Sequence, residues 1–296
     1  MLIKKSVLPF LFILLYGSGF VFTEYGLANA SPMAFLAIRF FITFWILLII
    51  AIIFKVSWPN NIKEFIHIAI AGSLTVGTFS IGVYLSLFYG ISASLSALVI
   101  ALQPIIVALL AWKFLSEEKS NKIILGLILG FIGVFFVISQ KIDNIELSIG
   151  ILYSFIALLG LSIGNLYQKK FCLNMNLFSG GAIQTLSSTL LVIPFLYFED
   201  IRVVWNGDFI LALMYMSIGV SIGALSLLYI MIKKTDVSKV SSIFYLVPIS
   251  AAFISYILFN VKIDLVTMLG IIIVLFAIVL INKKSKKENN ENSNFR

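Results

Sequence analysis

The sequence is poor in the residues that soluble proteins and metal sites require. Charged residues make up 11% of the 296 residues, and His67 is the single histidine. A soluble domain usually carries about 25% charged residues. Cys172 is the single cysteine, which excludes an internal disulfide and any cysteine spacing typical of a metal site. We therefore expect neither a water-soluble domain nor a bound cofactor or metal.

The sequence is rich in long apolar runs. Hydrophobic residues make up 61% of the chain and the mean hydropathy is +1.10. A helix needs roughly 20 apolar residues to cross a bilayer, and open sheet edges cannot exist in lipid. The runs predict ten membrane helices at 6–27, 33–54, 65–88, 92–112, 122–139, 148–168, 177–198, 209–232, 238–260 and 265–282.

The first run also imitates a cleavable signal peptide. Lys4 and Lys5 precede the apolar stretch, and Ala28-Asn29-Ala30 resembles a cleavage site. The stretch is longer than a signal peptide requires and it contains Glu24. We expect it to remain as the first membrane helix.

The placement of basic residues explains the net charge of +8 without nucleic acid. With the N-terminus inside, about 17 lysines and arginines fall on inner loops and ends, and about 3 fall outside. This asymmetry predicts that both termini lie in the cytoplasm. The polar segment 283–296 is predicted to be a disordered cytoplasmic tail.

The two halves of the sequence resemble each other. A shift of 144 residues lays Pro104 on Pro248 and Gly126 on Gly270, and the apolar runs superpose in phase. Five helices is an odd number, so the second half must enter the membrane from the opposite side. The sequence therefore predicts an all-α membrane protein of ten helices in two inverted five-helix repeats, at 6–139 and 148–282.

Inverted repeats are typical of secondary transporters, which bind substrate near the midplane and alternate access by rocking one half against the other. A receptor or assembly factor has no such need for inversion. A passive channel would conduct without exchanging solutes. The sequence contains no P-loop, so the energy must come from a substrate gradient or a coupled ion, for which a proton is one candidate.

Several motifs resemble the EamA-type family of the drug/metabolite transporter superfamily. They begin with Tyr16-Gly17-Ser18-Gly19-Phe20, followed by Ser31-Pro32 and Arg39-Phe40. The best stretch runs from Ala93-Ser94-Leu95-Ser96-Ala97 through Gln103-Pro104 to Leu115-Ser116-Glu117-Glu118. In the second half, Val261-Lys262 stands where the family often has glutamate.

The resemblance, over about residues 6–282, implies a transporter in the bacterial inner membrane with cytoplasmic ends. In many bacterial members it implies efflux of amino acids or related small metabolites. The family also transports other solutes, so a nucleoside, a cofactor or a drug remains an alternative substrate. The sequence leaves a homodimer open.

Charged residues inside membrane helices are costly and are functional candidates. Glu24 lies near the outer end of the first helix and Arg39 lies in the second. If they meet, they offer both signs to a zwitterion such as an amino acid; the alternative is a purely structural ion pair. Under the repeat, Glu24 maps onto Gln168, and Arg39 maps within one residue of Gln184. The two glutamines are therefore the candidates for the inner half of a substrate path.

Proline kinks supply the remaining candidates. A proline frees a backbone carbonyl one turn earlier, which makes Pro104 beside Gln103 and Pro248 near Tyr245 possible cavity sites as well as packing kinks. Tyr16 and Tyr84 are further candidates for substrate contact, with Ser18 and Asn165 weaker.

An enzymatic function is not expected. Ser162 and Ser221 each lie in a G-x-S-x-G sequence, but a nucleophile elbow needs a strand-to-helix turn, and these serines lie in predicted helix interiors. The one candidate base, His67, falls near the inner end of the third helix.

Overall fold

A computed structural model describes residues 7–91, 93–117, 119–139, 149–259 and 264–282. The predicted tail 283–296, residues 6 and 148 at the repeat edges, Glu118 and the pair Val261-Lys262 lie outside the described residues. Apart from one isolated antiparallel bridge between Ala30 and Val203, the regular secondary structure of the described part is helical. The predicted all-α class is confirmed.

The described residues form ten helical segments that follow the ten apolar runs. Nine of them are long and apolar enough to cross a membrane, and the segment that begins at Val237 is the shorter, tenth one. The first repeat contains α1 (Val7–Asn29), α2 (Pro32–Ile53), α3 (Ile62–Phe88), α4 (Ala93–Ile100 and Gln103–Phe114) and α5 (Asn121–Ser139). The second contains α6 (Ile149–Phe171), α7 (Leu177–Leu196), α8 (Gly207–Lys234), α9 (Val237–Ser241, Ser242–Leu246 and Val247–Phe259) and α10 (Leu265–Asn282).

Irregular turns recur at the same places in both repeats. Helix α3 winds as a π-helix over Ser73–Thr78, and α8 does so over Tyr215–Ala224, which covers the equivalent positions. Helix α4 is interrupted at 101–102, which ends two residues before Pro104, and α9 is a 3₁₀-helix over Ser242–Leu246, which ends two residues before Pro248. Proline explains the second pair, because it removes a backbone donor.

The helices pair across the two repeats in a reciprocal way. Helix α2 packs on its own equivalent α7, and α5 packs on its equivalent α10. The contact between α3 and α6 is mirrored by the contact between α8 and α1. This reciprocity is what a pseudo-two-fold axis relating inverted repeats requires.

Two glycines allow the backbones of α5 and α10 to touch. A Cβ atom on Gly133 would lie 2.9 Å from the carbonyl oxygen of Gly270, and a Cβ on Gly270 would lie 2.6 Å from that of Gly133. Small residues at helix interfaces of membrane proteins permit such close approach. The α5–α10 pair therefore forms a tight, apolar interface away from the polar centre.

Glutamates from distant loops cap two helices. The Glu199 carboxylate accepts hydrogen bonds from the backbone N–H groups of Met33 (3.0 Å) and Ala34 (3.1 Å), at the start of α2. Near the other end of the molecule, the Glu117 carboxylate accepts from Val237 N (2.6 Å) and Ser238 N (3.2 Å), at the start of α9. A carboxylate satisfies the free N–H groups of a helix start and complements its dipole. Each glutamate thus ties one repeat to the other.

Candidate functional site

A small cavity lies at the interface of the two repeats, between α1, α2, α3 and α8. Its volume is about 40 Å³, enough for a few water molecules or one small polar group. Its polar lining comes from the first repeat, whereas the second repeat contributes the apolar residues Met216, Val220 and Leu225. The polar and aromatic residues that line it are Tyr16, Phe20, Thr23, Arg39, Thr75, Phe79, Ser80 and Tyr84. We name it the central cavity.

Arg39 is the one charged residue among those lining the central cavity, and its side chain is only 4% exposed. Its Nε donates a hydrogen bond to Ser221 Oγ at 3.1 Å, and its Nη1 donates to the Tyr84 hydroxyl at 3.3 Å. The guanidinium carbon also lies 5.4 Å from the centre of the Phe40 ring. A cation inside the membrane is thus held by neutral hydroxyls and an aromatic ring.

Tyr16 of α1 lines the same cavity and belongs to an aromatic cluster. Its ring packs on Phe12 (5.2 Å between centroids), Phe244 (5.4 Å) and Phe79 (6.2 Å), which fixes its direction. The hydroxyl oxygen is buried and makes no hydrogen bond with the described residues. A buried hydroxyl without a partner costs free energy, so this group has the character of a ligand donor.

Glu24 and Arg39, which would offer both signs to a zwitterion if they met, line different cavities. Glu24 is exposed and lines a separate cavity of about 1080 Å³. This cavity also contains Glu199, Asp200 and Arg202. We name it the outer cavity, because the lysine distribution predicts this end to be outside. The separation follows from the direction of Arg39, which turns toward α3 and α8.

Gln168 and Gln184, the candidates for the inner half of a substrate path, contact each other. Gln184 Nε2 donates to Gln168 Oε1 at 2.8 Å, and both side chains are almost fully buried. The sulfur of Met175 lies 3.3 Å from Gln168 Nε2. Beyond Met175, a cavity of about 410 Å³ is lined by Ser57, Cys172 and Met175 among others. We name it the inner cavity. The glutamine pair therefore lies beside the inner cavity, where its hydrogen bond joins α6 to α7.

The proline candidates lie elsewhere. Gln103 is fully buried and its Nε2 donates to Ser241 Oγ at 3.2 Å, between α4 and α9. Tyr245 packs against Gly130, and its hydroxyl donates to the carbonyl of Leu127 at 2.8 Å. Neither residue lines the central cavity. Both hold helices together at the α4–α9 and α5–α9 contacts.

Sequence reasoning missed Ser221 and Met216 of α8. Ser221 was considered only as a hydrolase nucleophile, yet it accepts a hydrogen bond from Arg39, and Met216 lines the central cavity. His67 does not line the central cavity. Its Nδ1 lies 2.7 Å from the Tyr167 hydroxyl and its ring stacks on Phe171. Within the part of the chain that the structure describes, no His, Cys, Asp and Glu cluster could hold a metal.

Known proteins resemble this chain over its whole length. The model of the EamA-like transporter family matches residues 5–139 and 148–283. The "Uncharacterized transporter YvbV" of Bacillus subtilis (strain 168) is 26% identical, covering 96% of this chain and 93% of that protein. An "Uncharacterized transporter" of Archaeoglobus fulgidus is 24% identical, covering 95% and 98%. A solved crystal structure has a similar fold, with a TM-score of 0.78 at 16% identity, over 93% of this chain and 95% of the other.

Proposed function

The chain belongs to the EamA-like transporter family and is a multi-pass membrane transporter, and from that premise we propose that it is a secondary transporter that exports amino acids or related small metabolites. Transport would proceed by alternating access between the two repeats. We place the protein in the cytoplasmic membrane of a bacterium with both termini inside, as the distribution of lysine and arginine indicates.

One observation carries the proposal. A buried arginine, held by neutral partners, faces a cavity that is built by both repeats. Charges within membrane helices are expensive and are retained where they serve a pathway. Substrate sites of inverted-repeat transporters lie at the repeat interface near the midplane. The position of the central cavity between the two repeats and its buried cation support a substrate site there.

The two ends of the path differ in a way that fits a transport cycle. On one side of the central cavity, the outer cavity has a volume of about 1080 Å³. On the opposite side, the hydrogen bond between Gln168 and Gln184 joins α6 to α7. The described conformation thus suits the outward-facing half of a cycle. Rocking the repeats would close the outer cavity and separate the two glutamines. Glu24, exposed in the outer cavity, is our candidate for carrying a coupling proton.

The experiment is an export panel in cells. Cells that express the protein are loaded with dipeptides, and the medium is assayed for each amino acid over time. Arg39→Ala tests the central cavity, and Lys122→Ala removes an exposed cation at the start of α5 as the matched control. The amount of each variant in the membrane is measured in parallel.

We expect faster release of one class of amino acid, reduced at least tenfold in Arg39→Ala and unchanged in Lys122→Ala. Release that is equal in all three strains and in cells without the protein would contradict export of amino acids. The search would then move to nucleosides, cofactors and drugs. The same assay with Glu24→Gln tests proton coupling, which requires a change in the rate or its pH dependence.

A further inference from the structure

The charges around the central cavity are unbalanced. Of the described residues that line it, Arg39 is a cation and none is aspartate or glutamate. The two side-chain hydrogen bonds of Arg39 go to the hydroxyls of Ser221 and Tyr84, which are neutral. A cation kept from water without a counter-charge is unfavourable. The site is therefore prepared for a negative group.

The donors in the cavity suit a carboxylate in particular. A guanidinium is planar and presents several N–H donors in a fork that matches the two oxygens of a carboxylate. Tyr16, a residue that is 6% exposed, lines the same cavity, and its buried hydroxyl oxygen makes no hydrogen bond with the described residues. Arg39 of α2 thus supplies a cation, and Tyr16 of α1 supplies a second hydrogen-bond donor from a different helix.

The same lining offers hydroxyl oxygens to an ammonium group but no carboxylate. An ammonium favours a carboxylate nearby, whereas the central cavity holds Arg39, which repels it. The remaining walls are largely apolar, formed by Val76, Phe79, Val83 and Val220. The substrate would therefore be recognised by its acidic end and by apolar contact, and not by its amino group.

We propose that the central cavity is a carboxylate subsite, formed by Arg39 and Tyr16, and that the transported solutes are small carboxylic acids with or without an amino group. This inference rests on the proposed transport function and names the substrate class of the same site. It excludes sugars, uncharged nucleosides and amine drugs that lack an acidic group. It also predicts that removal of an amino group from a substrate is tolerated, whereas neutralisation of its carboxylate is not.

The test uses matched compounds on the purified full-length protein in detergent micelles. Three sets are compared by thermal shift: L-leucine, L-leucinamide and 4-methylpentanoate; L-phenylalanine, L-phenylalaninamide and 3-phenylpropanoate; and acetate with acetamide. We expect at least one acid and its deaminated analogue to raise the melting temperature, and its amide to leave it unchanged. An amide that stabilises as well as its acid, or no stabilisation by any acid, would overturn the inference.

Three variants assign the effect to the site. Arg39→Gln should abolish stabilisation by acids, and Arg39→Lys should retain part of it because the charge remains. Tyr16→Phe should weaken the acids about tenfold, the effect of one hydrogen bond to a charged group. Without ligand, Tyr16→Phe should melt no lower than the wild type, because it removes a buried hydroxyl that has no partner among the described residues. Acid binding that survives Arg39→Gln would contradict the proposal.

The two proposals fail separately. If the export assay detects release of uncharged solutes only, the transporter stands and the carboxylate subsite is wrong. If acids bind through Arg39 but no solute is released in proteoliposomes or cells, the subsite stands and export is wrong.

Discussion

The two repeats have the same backbone plan but different contacts at their centre. Helix α3 of the first repeat packs on α7, and α8 of the second repeat packs on α2 in the equivalent way. At the first contact stand Gly72 and Gly77. At the equivalent positions of the second stand Met216 and Ser221. The two contacts therefore differ at these two positions.

The glycines bring α3 against α7. A Cβ atom on Gly72 would lie 2.4 Å from both Cα and Cβ of Gln184, and one on Gly77 would lie 2.9 Å from Leu191 Cδ2. Helix α7 therefore lies close against α3, with Gln184 at the contact. At the equivalent positions of the second repeat, Met216 lines the central cavity and Ser221 accepts a hydrogen bond from Arg39. The two repeats thus differ in what these two positions contact.

The largest expected effect comes from making the two contacts alike. Gly72→Met places the residue found at the equivalent position of α8 against the α7 backbone, which cannot move aside locally. Overpacking of this kind costs typically about 1–3 kcal/mol. We expect α3 and α7 to separate and the inner side to open.

Cys172 reports this opening without an engineered cysteine. It lines the inner cavity, and burial raises the pKa of its thiol to about 12, so at pH 8 almost no reactive thiolate is present. Exposure would lower the pKa toward about 8.5. Labelling by a maleimide should therefore be at least tenfold faster in Gly72→Met. In the control, Gly207→Met, a Cβ meets nothing within 4 Å and the rate should not change. Equal rates in both variants would refute the role of Gly72.

A smaller effect is expected from the glutamine pair. Gln168→Met or Gln184→Met leaves the other buried amide without its partner, which costs about 1–3 kcal/mol of unfolding free energy. The double variant removes both polar groups and should lose at least about 1 kcal/mol less than the sum of the single losses. Denaturant titration in detergent micelles measures this coupling.

Gln103→Met provides the matched comparison for that cycle. Its amide bonds to Ser241 between α4 and α9, away from the glutamine pair. The losses of Gln103→Met and Gln184→Met should therefore add, within about 0.5 kcal/mol. Additive losses for Gln168 and Gln184 as well would mean that their hydrogen bond does not hold the inner side closed.

The sequence predicted where the helices and their interruptions lie along the chain better than it predicted the directions of the side chains. Apolar runs and paired prolines are one-dimensional signals, and they located the helices and the interruptions before Pro104 and Pro248. The π-turns at Ser73–Thr78 and Tyr215–Ala224 carry no comparable signal. A π-turn changes which face of a helix points inward, so the partners Ser221 and Tyr84 of Arg39 could not be inferred.

A better signal was present in the repeat itself. The repeat was identified from positions that match, such as Val76 and Val220, yet the contacts that differ between the halves lie at positions that do not match. At equivalent positions of the two repeats, Gly72 corresponds to Met216 and Gly77 corresponds to Ser221, so these positions do not match. In an inverted repeat, matching positions maintain the common fold, whereas mismatches between small and large residues indicate where the two sides of the membrane are treated differently.

The smallest expected effect concerns Ser18 and Ser162, which are equivalent and identical. Both bond to a carbonyl one turn earlier, Ser18 to Leu14 O at 2.7 Å and Ser162 to Leu158 O at 2.6 Å. Ser18 alone is also recorded in a hydrogen bond to the Tyr215 hydroxyl, which links α1 to α8. Ser18→Ala should therefore lose about 1 kcal/mol of unfolding free energy.

Ser162→Ala, in contrast, should change the unfolding free energy by less than about 0.5 kcal/mol, because a bond within one helix contributes little. Tyr215→Phe supplies the control, since it should cost as much as Ser18→Ala alone and add nothing in the double variant. Equal losses of unfolding free energy for the two serine variants would show that identical residues at equivalent positions contribute equally to stability in both repeats. The functional asymmetry would then rest on the glycine, methionine and glutamine exchanges alone.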